Sequence, residues 1–396
     1  MNILIADKLS ENAVNALRNL GAKIRVEPSL GADDLPDAVG NADILVVRST
    51  KVTAAAIDAG SNLSLIIRAG AGVNTIDLAH ASERGIHVAN CPGKNADAVA
   101  ELTMGLIVAA DRRIADQTAD LRTGKWNKKG YGKAPGLKGR TLGILGYGSI
   151  GRNVTRRAMA FGMPVVAWSR SLTSERAKED GVGFCASPAE LAAAADVVSV
   201  HLAAAAETAG LVNGAFLDAM KDGAILVNTS RGEIVDRDAL MDAIDRKGIR
   251  AALDVYDSEP AAGESEFPDI ALAAKIVGTH HVGASTDQAA EAIADETVRI
   301  VKVFMETGKP ANLVNAQEKS AAPFNLVVRH FNRVGVLAGV LDALREAGMN
   351  VEEMENAIFS GGKAAVCTLK LDEEPSADVV AGINRDPNII QAALTN

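Results

Sequence analysis

Leu142-Gly143-Ile144-Leu145-Gly146-Tyr147-Gly148-Ser149-Ile150-Gly151 is a short apolar run that breaks into the pattern GxGxxG. The run reads as a strand, and the residues up to about Phe161 read as a helix. Gly146 permits a tight turn. Gly148 leaves room for the backbone to approach a pyrophosphate, and Gly151 lets the helix pack closely on the strand. The helix N-terminus then turns unpaired N–H groups toward the anion. The loop from Gly146 through Tyr147, Gly148, Ser149 and Ile150 to Gly151 is therefore the candidate cradle for a dinucleotide.

In such a fold the next strand ends in an acid that binds the ribose 2′-hydroxyl. Here that strand is Pro164–Trp168, and Ser169 and Arg170 follow it. A hydroxyl and a guanidinium suit a 2′-phosphate. The reading leans modestly to NADP(H) and leaves NAD(H) open.

Working outward, apolar runs recur at Ile3–Ala6, Ile44–Val47, Leu65–Ile67, Val165–Trp168, Val197–Val200, Ile225–Val227 and Ala251–Val255. Runs without period-two alternation belong to strands covered on both faces. Strands that alternate with helices form parallel sheets. Ser187-Pro188-Ala189-Glu190 is a helix start with a capping box, and Ser285-Thr286-Asp287-Gln288 is another, opening a helix that stops near Gly308. Asp236 caps a helix ending at Gly248, and about Asp97 to Leu121 reads as one long helix.

Two doubly wound α/β domains result: a flavodoxin-like one over residues 1–95 and 282–312, and a Rossmann domain over 96–281. The helix near 285–308 packs back on the first domain, which is thereby discontinuous. Pro310–Pro323, containing Gln317, Glu318 and Lys319, reads as a linker. Residues 323–396 follow a βαββαβ order, the ferredoxin-like pattern.

Basic residues number 41 and acidic residues 50, a net charge of −9, so a global basic field for nucleic acid is absent. An anionic substrate needs a local basic cluster. Cys91, Cys185 and Cys367 are dispersed, which argues against a disulfide framework or a metal site and fits a reducing compartment. The N-terminus reads as a buried strand rather than a signal peptide, and no run of ~18 apolar residues suggests a membrane span. A cytoplasmic location is expected.

Three segments end strands of the Rossmann unit: Asn228–Gly232, Ala252–Pro260 and Gly278–Gly283. Ligands bind at the carboxyl ends of such strands. Arg231 can bind a substrate carboxylate and polarise a carbonyl. His281 can exchange a proton with a hydroxyl, and Glu259 can hold the imidazole.

These segments resemble the family of D-isomer-specific 2-hydroxyacid dehydrogenases. LGILGYGSIG, NTSRGEIVD, AALDVYDSEP and HHVGAST stand in family order. The resemblance implies hydride transfer between a nicotinamide cofactor and a small anionic 2-hydroxy or 2-oxo acid, with Arg231, Glu259 and His281 catalytic. It places His201, Ser230 and Asp254 at the cofactor. The Arg68–Asn74 stretch matches the loop that binds the substrate carboxylate, through Ala71, Gly72 and Asn74. Arg48 and Ser49 match the arginine loop of members with phosphorylated substrates, and Lys128, Lys129 and Lys133 are candidates for further positive charge. The C-terminal unit resembles an ACT regulatory domain, which implies L-serine as an effector, with His330, Asn332 and Asn350 as its candidate ligands. A homodimer or homotetramer is expected. The chain departs from the family pattern at the missing ribose acid, at His280, where proline is common, and at Leu202-Ala203 after His201. Two rival readings stay open: an NADPH-linked glyoxylate or hydroxypyruvate reductase, and a non-catalytic NAD(H)-sensing binding protein.

Overall fold

The computed structural model describes residues 1–260, 266–316 and 320–395. Residues 1–315 form one compact unit and residues 316–396 another.

The first sheet of the larger unit joins β1 (Asn2–Ile5), β2 (Lys23–Val26), β3 (Ile44–Val47), β4 (Leu65–Arg68) and β5 (His87–Asn90). All pair in parallel, in the order β2-β1-β3-β4-β5, the flavodoxin-like winding. The helix Asp287–Thr307 returns to this sheet. Its Ile293, Ile300, Val301 and Phe304 are buried in one cluster with Ile3, Ile5, Ile44 and Ile67. Full burial stabilises by about 1.5–3 kcal/mol for each aliphatic side chain of this size.

The second sheet joins β6 (Leu142–Leu145), β7 (Val165–Trp168), β8 (Gly183–Phe184), β9 (Val197–Val200), β10 (Ile225–Asn228), β11 (Arg250–Leu253) and β12 (Val277–Gly278). Its order, β12-β11-β10-β9-β6-β7-β8, reverses direction at β6, as in a Rossmann sheet. Buried Val, Ile, Leu and Ala cover both of its faces.

The smaller unit holds β13 (Phe324–Phe331), β14 (Val351–Ile358), β15 (Ala364–Leu371) and β16 (Ile389–Thr395), with helices Val336–Glu346 and Ala377–Ile383. Its antiparallel order, β14-β15-β13-β16, is the ferredoxin-like arrangement. Along β15 buried residues alternate with half-buried ones, since helices cover one face.

Local signals explain most element ends. Ser187 Oγ accepts from Glu190 N at 3.2 Å, and the Glu190 carboxylate accepts from Ala186 N at 2.7 Å. Gly248 and Gly308 close their helices at φ 66° and 74°.

Four expectations need correction. The long helix is two, Ala96–Arg112 and Ile114–Arg122, broken at Arg113 with φ 54°. The Arg113 guanidinium is drawn aside to lie 4.7 Å from the Tyr131 ring centroid. The cap of the returning helix is Thr286 rather than Ser285, since Thr286 Oγ1 accepts from Ala289 N at 3.2 Å. The strand expected to Val255 ends at Leu253. The linker is shorter than Pro310–Pro323: Asn312–Asn315 lies along β5, with Val314 N donating to Val88 O at 2.9 Å and Leu313 bridging Ala89. Gln317, Glu318 and Lys319 lie outside the described residues. Among the described residues, no helix is long and apolar enough to cross a membrane.

Candidate active site

A cleft of about 610 Å³ opens at the carboxyl ends of the strands of the larger unit. Arg231, His281, Asp254, Ser230 and His201 line it, with Ala71, Gly72, Asn74 and Ile150.

Arg231 follows β10. Asn228, 1% exposed, shapes this turn: its Nδ2 donates to Arg231 O at 2.8 Å, and its Oδ1 accepts from Ser230 N at 3.0 Å. Arg231 Nη1 donates to Ser230 O at 2.6 Å. A Cβ on Gly72 would lie 2.7 Å from Arg231 Nη2, so a glycine there makes room for the guanidinium.

His281 and Glu259 meet directly. His281 Nδ1 donates to Glu259 Oε2 at 2.7 Å, while Glu259 Oε1 accepts from Tyr256 N at 3.0 Å. Partial burial works to raise the Glu259 pKa. The His281 hydrogen bond, the Tyr256 N–H and the charges of His281 and Arg231 outweigh it, and the carboxyl sits below its usual range. His281 adopts φ 53°, and its N donates to Asp254 O at 2.8 Å. Asp254 is fully buried, its carboxylate engaged by Thr279 Oγ1, Val282 N and Gly283 N.

Arg68, the last residue of β4, also lines the cleft. Burial first, then the like charges of Arg231 and Arg48, push its pKa down. Its Nε is buried with no hydrogen-bond partner. Arg48 follows β3 in a loop whose N–H groups at Arg48, Ser49 and Thr50 all donate to Asp7 Oδ2, at 2.7, 3.1 and 3.1 Å. Sequence reasoning missed Arg68 and Asp7 as individual residues. Their position at strand carboxyl ends was the available signal.

At the glycine loop, Gly146 has φ 107°, and a Cβ there would strike the His201 backbone. A Cβ on Gly148, by contrast, would meet nothing within 4 Å, and the helix Ser149–Ala160 starts immediately after it. The Tyr147 side chain is buried beneath Arg152, so the backbone is what Tyr147 offers to a ligand. His201 Nε2 hydrogen-bonds Ser199 Oγ at 2.8 Å. Burial pushes the His201 pKa down to about 3, which keeps it neutral, and its Nδ1 has no partner. Ser169 and Arg170 follow β7 and stand apart from the cleft lining, with Arg170 exposed. Lys128, Lys129 and Lys133 are exposed.

In the smaller unit, His330 is buried, with Nδ1 toward Phe331 O at 2.9 Å and Nε2 toward Asn356 Oδ1 at 3.3 Å. Asn332 Nδ2 donates to Gly362 O at 3.0 Å, and Asn350 N donates to Asp372 Oδ1 at 2.9 Å.

Residues 104–283 match the model of the D-isomer specific 2-hydroxyacid dehydrogenase NAD-binding domain. The chain is 39% identical over 306 residues to a hydroxypyruvate reductase of Thermotoga maritima, covering 77% of this chain and 97% of that one. The chain belongs to the D-isomer specific 2-hydroxyacid dehydrogenase family. Within the family it is also 38% identical over 317 residues to a D-3-phosphoglycerate dehydrogenase of Methanocaldococcus jannaschii. That match covers 80% of this chain but 59% of the longer relative. A solved structure, the TT0316 protein of Thermus thermophilus, superposes with a TM-score of 0.69 at 35% identity. It covers 79% of this chain and 100% of its own. The cofactor half is thus the NAD-binding domain of an oxidoreductase family.

Proposed function

We propose that the chain is a D-3-phosphoglycerate dehydrogenase, interconverting 3-phosphoglycerate and 3-phosphohydroxypyruvate with NAD(P) in L-serine biosynthesis. The observation that carries this reading is that Arg68 and Arg231 line one cleft with His281, which Glu259 holds, while the charge of Arg48 acts on Arg68. Burial and the like charges of Arg231 and Arg48 lower the basicity of Arg68, and such a cluster is suited to a ligand with more than one negative charge. The relative from Methanocaldococcus jannaschii bears this name.

The cleft fits a nicotinamide dinucleotide. Open space in front of Gly148 gives a pyrophosphate access to the helix N-terminus at Ser149, and the orphaned His201 Nδ1 awaits a polar partner. The cofactor, when bound, supplies or accepts the hydride. Ser169 and Arg170, with no acid at the end of β7, favour NADP(H) modestly over NAD(H).

The chain does the rest. Arg231 binds the substrate carboxylate and draws electron density from the adjacent carbonyl, aided by the backbone at Ala71 and Gly72 and by Asn74. Arg68 and Arg48 hold the phosphate. In reduction, His281 Nε2 gives its proton to the carbonyl oxygen; in oxidation it takes the hydroxyl proton back. Glu259 keeps the proton on Nδ1 and stabilises the imidazolium. Ser230, His201 and Asp254 line the cofactor side. Residues 1–95 with 282–312 bind substrate, residues 96–281 bind cofactor, and 323–396 is an ACT-like unit that senses L-serine through His330, Asn332 and Asn350. The active form is a homodimer or homotetramer. Exposed Ile114, Leu121 and Trp126 support this.

A second reading, an NADPH-linked glyoxylate or hydroxypyruvate reductase, draws support from the Thermotoga relative, matched over 97% of its length. The hydrogen-bonded Glu259–His281 pair argues against a cofactor sensor without turnover. The test is initial rates with NADH and NADPH, each against phosphohydroxypyruvate, hydroxypyruvate and glyoxylate, with and without L-serine. Specificity for phosphohydroxypyruvate, inhibited by serine, supports the proposal. Preference for an unphosphorylated acid with no serine effect overturns it in favour of the reductase.

A further inference from the structure

We infer that Asp254 is a positioning residue for His281: its carboxylate holds the Thr279–Gly283 segment in the conformation that presents the imidazole to substrate. This rests on the proton-transfer role proposed for His281.

Asp254 follows β11 and is 0% exposed. A buried carboxylate is costly unless its oxygens are satisfied. Here Oδ1 accepts from Thr279 Oγ1 at 2.6 Å and from Val282 N at 2.9 Å, while Oδ2 accepts from Gly283 N at 2.8 Å. Each of these donors is neutral, and all of them lie in the five residues centred on His281. The Asp254 main chain grips the same segment, its O accepting from His281 N at 2.8 Å.

The segment needs that grip. His281 sits at φ 53°, in the left-handed region. For a residue with a Cβ this costs roughly 1–2 kcal/mol. Such strain persists where the surroundings over-determine it. Donors on either side of His281, Thr279 before it and Val282 and Gly283 after it, converge on one carboxylate and fix the intervening backbone. A Cβ on Gly283 would come within 3.0 Å of Asp254 Oδ2, so glycine is what lets that N–H approach. Tyr256 closes the arrangement: its hydroxyl lies 3.1 Å from Leu253 O and 3.0 Å from Thr279 O, tying the segment to the end of β11. Asp254 thus aims the ring from behind while Glu259 holds it at Nδ1.

The test is Asp254→Asn. The amide keeps the shape of the carboxylate but sets a donor against either Gly283 N–H or the Thr279 and Val282 donors. The expected kcat for hydroxypyruvate or phosphohydroxypyruvate falls about 10²-fold, the scale of a small misplacement of a reacting group. The kcat is read at saturating NADH, with the NADH Kd measured beside it by fluorescence, so that a change in cofactor affinity at a residue lining the cofactor side of the cleft does not enter it. In histidine-labelled protein, the ¹⁵N ring shifts of His281 lose the signature of a single Nδ1–H tautomer. Thr279→Val removes one donor with little loss of packing, and a drop in kcat of about tenfold in the same direction is expected. It carries the test where Asp254→Asn fails to fold. Unchanged kcat and unchanged ring shifts overturn the inference, as does a loss residing wholly in NADH affinity. The ring shifts are read without turnover, so they judge the positioning even if the wild-type chain reduces none of these acids and the proposed function fails.

Discussion

Glu259 and His281 lie 22 residues apart in the chain, and Glu259 Oε2 sits 2.7 Å from His281 Nδ1. Their strands neighbour each other, since β11 pairs with β12. The residues after two adjacent parallel strands emerge at the same edge of the sheet, which is how a carboxylate and an imidazole so far apart form a pair.

His281→Ala removes the group that exchanges the proton. Turnover should fall by about 10²–10⁴-fold, the range for loss of general acid–base catalysis. Steady-state rates alongside NADH titration check this. An equal loss of NADH affinity would contradict the proton-transfer role.

Arg68→Ala should separate substrates by charge. A charge-assisted hydrogen bond contributes about 1.5–3 kcal/mol, so KM for phosphohydroxypyruvate should rise roughly 10–100-fold. KM for hydroxypyruvate should move far less. Equal effects on both acids would remove Arg68 from the phosphate site.

Ser169→Asp places a carboxylate at the end of β7, where a ribose 2′-hydroxyl would bind. The ratio of kcat/KM for NADH to that for NADPH should rise about tenfold or more, from hydrogen bonding to the hydroxyl and repulsion of a 2′-phosphate. An unchanged ratio would sink the NADP(H) preference.

Glu296 gives a stability prediction with a definite sign. Its carboxylate accepts from Arg299, Asn312 and Lys94, and chiefly the Arg299 hydrogen bonds lower its pKa from 4.5 to about 2. A pKa lowered by folding adds stability that is complete above the unfolded value and lost as pH falls through the folded one. At pH 7, Glu296→Gln should cost about 1–3 kcal/mol. In denaturant unfolding, the gap between the two proteins should narrow below pH 4.5 and close near pH 2. A gap that does not change with pH would show that packing, not charge, carries the effect.

Much of the fold is legible in the residues. GxGxxG after an apolar run, the Ser187–Glu190 capping box and the glycines at 248 and 308 each act within a few neighbours, so local chemistry suffices to read them. The strands that escape reading are β2, β5 and β8. In the parallel sheets each lies at an edge, and β8 has two residues. An edge strand such as β2, largely exposed, carries no apolar run to announce it. The break at Arg113 was hidden because a helical pattern continues on both sides of it, while the Tyr131 ring that receives its guanidinium is remote in sequence.

By itself the sequence determined the two parallel sheets, the ferredoxin-like unit and the residue types needed for hydride-transfer chemistry. All of these are written in short-range periodicity and motif spacing. Only the tertiary structure decided that Arg68 stands beside Arg231 and Arg48, that Glu259 bonds His281, and that one buried carboxylate at Asp254 receives donors from both sides of a strained histidine. The physical reason is the parallel crossover. It returns chain segments distant in sequence to the same edge of a sheet, where charge and hydrogen bonding act across angstroms of space rather than along the backbone.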